Sequence, residues 1–84
     1  MTTSPPPDQP AEPTAQSVRV TDSELVVSLA DGRTLTVPTR WFPKLVAASP
    51  TARDQWRLIG SGQGIHWPAL DEDLSVAGLL RGQN

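Results

Sequence analysis

Between Val18 and Val37 the apolar residues fall on every second position, which restricts this stretch to strands and turns. Val18 and Val20 alternate with Arg19 and Thr21; Leu25, Val27 and Leu29 alternate with Val26 and Ser28; Leu35 and Val37 alternate with Thr34 and Thr36. Such period-two patterning, rich in β-branched residues, makes strands with one buried face. A slip of one residue would turn the whole apolar set to solvent, so the pattern also selects the pairing. A two-residue turn at Asp22-Ser23 sets Val20 opposite Leu25 and Val18 opposite Val27. In the next hairpin, a two-residue Asp31-Gly32 turn would set Leu29 against Thr34 and Val27 against Thr36, mixing the two faces. A three-residue loop, Ala30-Asp31-Gly32 with Gly32 left-handed in a bulge, pairs Val27 with Leu35 and Leu25 with Val37. It leaves Val26 with Thr36 and Ser28 with Thr34 on the polar side. The prediction is a three-stranded antiparallel meander.

Pro38 cannot donate to a ladder and closes the third strand. Thr39 is expected to cap a helix over Arg40 to Ala48, with Pro43 in its first turn. Ser49-Pro50 is a second start signal, and its helix is expected to run through Trp56, with Ala52 and Trp56 on one face. Leu58-Ile59 and Ile65-His66-Trp67 read as a hairpin around Gly60-Ser61-Gly62-Gln63-Gly64. Ser75 then caps a short helix carrying Val76, Leu79 and Leu80 that closes at Gly82. The expected class is α+β, a mainly antiparallel sheet (meander plus C-terminal hairpin) with short helices on one face.

Composition changes abruptly near Gln16. Residues 1–16 hold Pro5, Pro6, Pro7, Pro10 and Pro13, with only Met and Ala as apolar residues. That stretch buries too little to offset its ordering entropy and reads as a disordered, solvated tail, although Pro5-Pro6-Pro7 favours polyproline II. Residues 17–84 are expected to form one domain, and domains of that size bury only ~60% of their unfolded surface. Self-association or docking on another protein would supply the missing burial. Leaving out Asp8 and Glu12, seven acids face seven bases, so no cationic field marks a nucleic-acid binder. The chain has no cysteine, which excludes disulfides, thiolate catalysis and cysteine-ligated metals. No apolar run approaches the roughly 20 residues of a membrane span, and the N-terminus is neither basic nor apolar. A cytoplasmic location without membrane attachment is expected.

Individual candidates read more simply as structure than as chemistry. The glycines at 60, 62 and 64 lead into Ile65-His66-Trp67 rather than a helix, and no Lys-Ser/Thr follows, so a hairpin turn fits better than a phosphate loop. Asp71, Glu72 and Asp73 lack the spacing and terminal glutamate of a calcium loop. They are expected to cap a turn or pair with Arg53 or Arg57, with a partner's basic patch as the functional reading. His66 is the lone histidine; without a nucleophile or a second ligand at metal spacing it reads as a hydrogen-bonded structural residue. Arg33, Arg40, Lys44, Arg53 and Arg57, with Trp41 and Trp56 nearby, could meet phosphates and bases, but Asp31 and Asp54 dilute the run. The three tryptophans read first as core and second as interface anchors.

Leu29-Ala30-Asp31-Gly32-Arg33, Val37-Pro38 and Trp41-Phe42-Pro43-Lys44-Leu45 resemble a small bacterial family, domain of unknown function 2442. The resemblance continues through Trp56-Arg57-Leu58-Ile59-Gly60, Gly64-Ile65-His66-Trp67-Pro68, Leu70 to Val76 and Gly78-Leu79-Leu80. It implies a compact α+β fold and a cytoplasmic bacterial protein with no established reaction. It also implies a small protein partner encoded nearby, in the manner of toxin–antitoxin pairs. Some relatives carry a C-terminal helix-turn-helix domain; with the sequence stopping at Asn84, their DNA reading is not expected to carry over.

The expectation is therefore a non-enzymatic protein-interaction module with an antitoxin-like role, using Trp56, His66, Trp67, Asp71, Glu72 and Asp73. The alternative is a nucleic-acid-binding or transcription-regulatory accessory protein, disfavoured by the neutral charge. No catalytic residue, metal or cofactor is expected.

Overall fold

The structure is a computed structural model and describes residues 13–82. Most of the proline-rich segment, up to Glu12, lies outside the described residues. Three strands, β1 (Ala15–Val20), β2 (Glu24–Leu29) and β3 (Thr34–Pro38), form an antiparallel sheet in the order β1-β2-β3. The strand pairing follows the apolar alternation: Val18 meets Val27, Val20 meets Leu25, Leu25 meets Val37 and Val27 meets Leu35. The Ala30-Asp31-Gly32 loop is the bulged three-residue turn. Gly32 has φ +98°, its N–H donates to the Leu29 carbonyl, and the Leu29 N–H donates to the Arg33 carbonyl. In the first hairpin the Thr21 hydroxyl oxygen accepts the Glu24 N–H at 2.9 Å, standing in for a backbone carbonyl. β1 begins ahead of the composition change, with Ala15 buried, and the pairing shifts between Ala15 and Ser17 in a β-bulge.

The helices are shorter than the sequence suggests. Residues expected to form one helix from Arg40 to Ala48 divide into a 3-10 turn, Thr39–Trp41, and α1, Pro43–Val46. The break is at Phe42 (φ −125°, ψ 90°), because a residue before proline is pushed out of the helical region. Pro43 thus starts a new helix instead of joining an existing first turn. Thr39 caps nothing with its side chain. Its hydroxyl, fully buried, donates to the Thr21 carbonyl at 2.9 Å, and its N–H donates to Ser23, tying the chain to the first hairpin. α2 is Pro50–Asp54, capped by Ser49, whose oxygen accepts the Ala52 N–H. It stops short of Trp56, which lies outside any helix.

The second sheet is antiparallel, with order β4-β5-β6, from β4 (Arg57–Ile59), β5 (Gly64–Trp67) and β6 (Glu72–Ser75). The C-terminal hairpin is as expected; β6, drawn from the acidic run read as a turn, enlarges it to three strands. α3 (Val76–Leu80) follows directly, with Ser75 accepting the Gly78 N–H at 2.8 Å and Gly82 closing it at φ +79°. Between β4 and β5 the chain turns through Gly60, Ser61 and Gly62, all at positive φ. Gly62 is also a close approach: a Cβ there would lie 2.8 Å from the Ala15 carbonyl oxygen, so only glycine lets this turn rest against β1. One core joins the two sheets and α3, including Leu25, Val27, Leu45, Ile65, Trp67, Val76 and Leu79. Among the described residues no helix is long and apolar enough to cross a membrane.

Candidate functional site

Alternation in the second sheet divides its residues between two faces. Ile65 and Trp67 are buried, with Leu58 and Leu74 packed beside them. The opposite face carries a row across all three strands, Arg57 opposite His66 and His66 opposite Asp73. The Val76 N–H donates to the Gln63 carbonyl, which marks these two as a hydrogen-bonded pair. Bonded pairs alternate along an antiparallel ladder, so Ile65–Leu74 and Trp67–Glu72 are bonded and His66–Asp73 is not. Side chains approach most closely in non-bonded pairs, and here the His66 Nδ1 meets the Asp73 carboxylate. The His66 side chain is 28% exposed and that of Asp73 67%. Gly64 leaves room for Ile59 to lean across the same face: a Cβ on Gly64 would come within 2.9 Å of the Ile59 side chain.

The expected pairing of the acidic run with Arg53 or Arg57 does not form. Arg53 is buried on α2 and turned the other way: Nε donates to Leu45 O at 2.9 Å, Nη2 to Val46 O and Nη1 to Asp22 at 2.7 Å. The last carbonyls of α1 have no partner within their helix, and the guanidinium supplies one. Asp22 is almost fully exposed, so Arg53 serves chiefly as a cap. Arg33 pairs with Asp31, and the Lys44 ammonium donates to the Asp71 carbonyl. Of these bases Arg53 is buried and committed to the fold, whereas Arg33 and Lys44 stay exposed with one contact each.

The sequence-predicted site residues are not brought into one patch. Trp67 is fully buried, its indole N–H donating to the Arg53 carbonyl at 3.1 Å, and it is out of a partner's reach. Trp56 is half-buried against the core. Asp71 sits in the turn before β6 at φ +51°. Glu72 and Asp73 instead border a groove of about 370 Å³. One wall is Trp41, Phe42 and Pro43, the other is β6, and Gly78 and Leu79 of α3 complete the lining. Trp41 meets Phe42 edge-on, with ring centroids 6.5 Å apart. Of this lining the sequence singles out Trp41 as core or anchor and Glu72 and Asp73 as acids for a partner; the rest of the groove is not visible in it. The missing signal was β6, whose Glu72-Asp73-Leu74-Ser75 lacks β-branched residues but alternates in phase with Ile65 and Trp67. Among the described residues no three His, Cys, Asp or Glu side chains gather as metal ligands would.

Residues 15–84 match the family described as protein of unknown function (DUF2442). The chain belongs to this family. Among solved structures, it is similar to a protein of unknown function from Rhodospirillum rubrum, with 35% identity and a TM-score of 0.74. That match covers 86% of this chain and 89% of the other. It is also similar to an uncharacterised protein from Chromobacterium violaceum, with 29% identity and a TM-score of 0.70, over 83% of this chain and 66% of that one. No curated protein matches the chain. The DUF2442 assignment thus fixes fold and kinship, as the resemblance read from the sequence implied, and carries no reaction with it.

Proposed function

We infer that this DUF2442 protein is a non-enzymatic interaction module that docks a small protein partner, with an antitoxin-like role toward a neighbour-encoded protein. The observation that carries this reading is the groove between Trp41-Phe42-Pro43 and β6. It combines an aromatic wall, an apolar floor at Leu74 and Leu79 and an acidic rim, the composition of an anchor pocket with a polar border. His66 supports the same reading. Its ring is held by Asp73 on an open sheet face, and among the described residues no hydroxyl is bonded to it as a nucleophile would be.

The test is co-expression of the full chain with the product of the adjacent open reading frame. A stoichiometric complex on size exclusion, with rescue of growth where that product is toxic, is the expected result. Separate elution without rescue would end the interaction reading. Mobility-shift assays at two salt concentrations decide the alternative, since a phosphate-binding surface must lose affinity as salt rises.

A further inference from the structure

β6 is an edge strand, and its outer backbone faces the groove. The ladder alternation turns the N–H and C=O of Leu74 and Glu72 toward β5, so those of Asp73, and the N–H of Ser75, point away from the sheet. Edge groups of this kind are templates for another strand, and natural proteins usually cover or blunt them. Here they open into a groove where Trp41, Leu74 and Leu79 offer apolar contact. Among the described residues Glu72 forms no ion pair or side-chain hydrogen bond, and Asp73 spends its carboxylate on His66 alone.

We propose that β6 receives an extended segment of the partner protein as an added fourth strand, with an arginine or lysine of that segment meeting Glu72 and an apolar residue seated against Trp41 and Leu79. This rests on the interaction reading above and specifies its ligand. Two other occupants are disfavoured by charge and by backbone chemistry. Pairing β6 with a second copy would bring Glu72 and Asp73 against their own kind, and like charges across strands are destabilising. The chain's own residues 1–16 carry Asp8 and Glu12 as their only charged side chains, and their prolines cannot donate to a ladder. A basic, proline-free strand from another protein satisfies both the charge and the edge, by the strand-addition mode of peptide recognition.

The experiment titrates the isotope-labelled full chain with two probes, acetyl-Val-Arg-Val-Arg-Val-amide and its Glu-for-Arg counterpart. The arginine peptide is expected to shift the Asp73 and Ser75 amides and the Trp41 indole, and to bind about tenfold or more tightly than the glutamate peptide. Glu72→Lys should cancel that preference. Asp73→Pro should abolish binding, because it removes an outward N–H that the β5 ladder does not use. If Asp73→Pro fails to fold, Glu72→Lys still decides. Equal affinity for both peptides, or shifts confined to other surfaces, would overturn the proposal. So would a concentration-dependent dimer lost in Glu72→Lys, or contacts between Trp41 and residues 1–12 in the free chain. If the neighbour-encoded protein still binds the Glu72→Lys chain undiminished, the edge proposal fails while the interaction reading stands. Failure of the unsubstituted chain to bind either the arginine peptide or the neighbour-encoded protein would end both.

Discussion

In the first sheet the buried face is filled by Val18, Val20, Leu25, Val27, Leu29 and Val37, and apolar alternation together with the turns sets its register. In the second, Ile65 and Trp67 are the fully buried strand residues, and the strands are shorter. Much of the second sheet's fixing is done from outside it, by the Trp67 indole bonded to α2, by Gly62 against β1 and by α3 continuing β6. The first sheet is thus specified locally and serves as a frame. The second depends on that frame, and its outer row and its β6 edge are left open to solvent. Local pattern and exposed polar surface compete for the same residues, and each sheet favours one of them.

Substitutions can break this comparison, and the largest effect is expected at Trp67. Trp67→Ala removes the biggest fully buried side chain and its bond to Arg53, and should cost about 3–5 kcal/mol. Denaturant unfolding would measure it, and a loss under 1 kcal/mol would mean that the second sheet does not hang on this ring. Next come two glycines of similar φ in different surroundings. A Cβ on Gly62 meets the Ala15 carbonyl oxygen at 2.8 Å, whereas one on Gly32 meets nothing within 4 Å. Gly62→Ala should therefore cost about 2–3 kcal/mol and Gly32→Ala about 1 kcal/mol, with equal losses removing the close approach as a cause.

A smaller effect is expected on the outer row. His66→Ala deletes a partly exposed cross-strand pair and should lower stability by under about 1 kcal/mol, leaving fold and thermal cooperativity intact. A drop comparable to that of Trp67→Ala would make His66 a core element instead. The smallest concerns Asp31, whose carboxyl is held below its ordinary pKa, first by the hydrogen bond from the Arg33 backbone N–H and further by the Arg33 side chain. A carboxylate lowered on folding stabilises the folded state above its unfolded pKa and loses that contribution as pH falls through the lowered value. Asp31→Asn should remove this slight acid-limb dependence, and a carboxyl titration at or above the ordinary aspartate range would contradict the turn geometry.

Legibility in the sequence followed the same division. Register in residues 18–37 could be read because each residue's side is dictated by alternation, down to the bulged turn at Gly32. The single long helix after Pro38 failed because Pro43 acts on the residue before it as well as on its own N–H, forcing Phe42 out of helix. α2 was overextended because Ala52 and Trp56 share helical spacing, yet Trp56 packs against the core from outside the helix. β6 escaped notice since Glu72 and Asp73 have poor strand propensity; their pairing is enforced by β5 and by the cap at Ser75. The docking surface read from sequence included Glu72 and Asp73, which border the groove. It included Trp67, whose ring the core had already claimed, and it left out Trp41 and Phe42, which reach the groove only through the break before Pro43.

Amide hydrogen exchange on the full chain, alone and with the neighbour-encoded protein, tests most directly where docking takes place. The Asp73 and Ser75 amides are expected to become protected in the complex while the outer edges of β1 and β3 exchange as before. A complex in which those two amides exchange at their free rate, with protection on the first sheet instead, would contradict it.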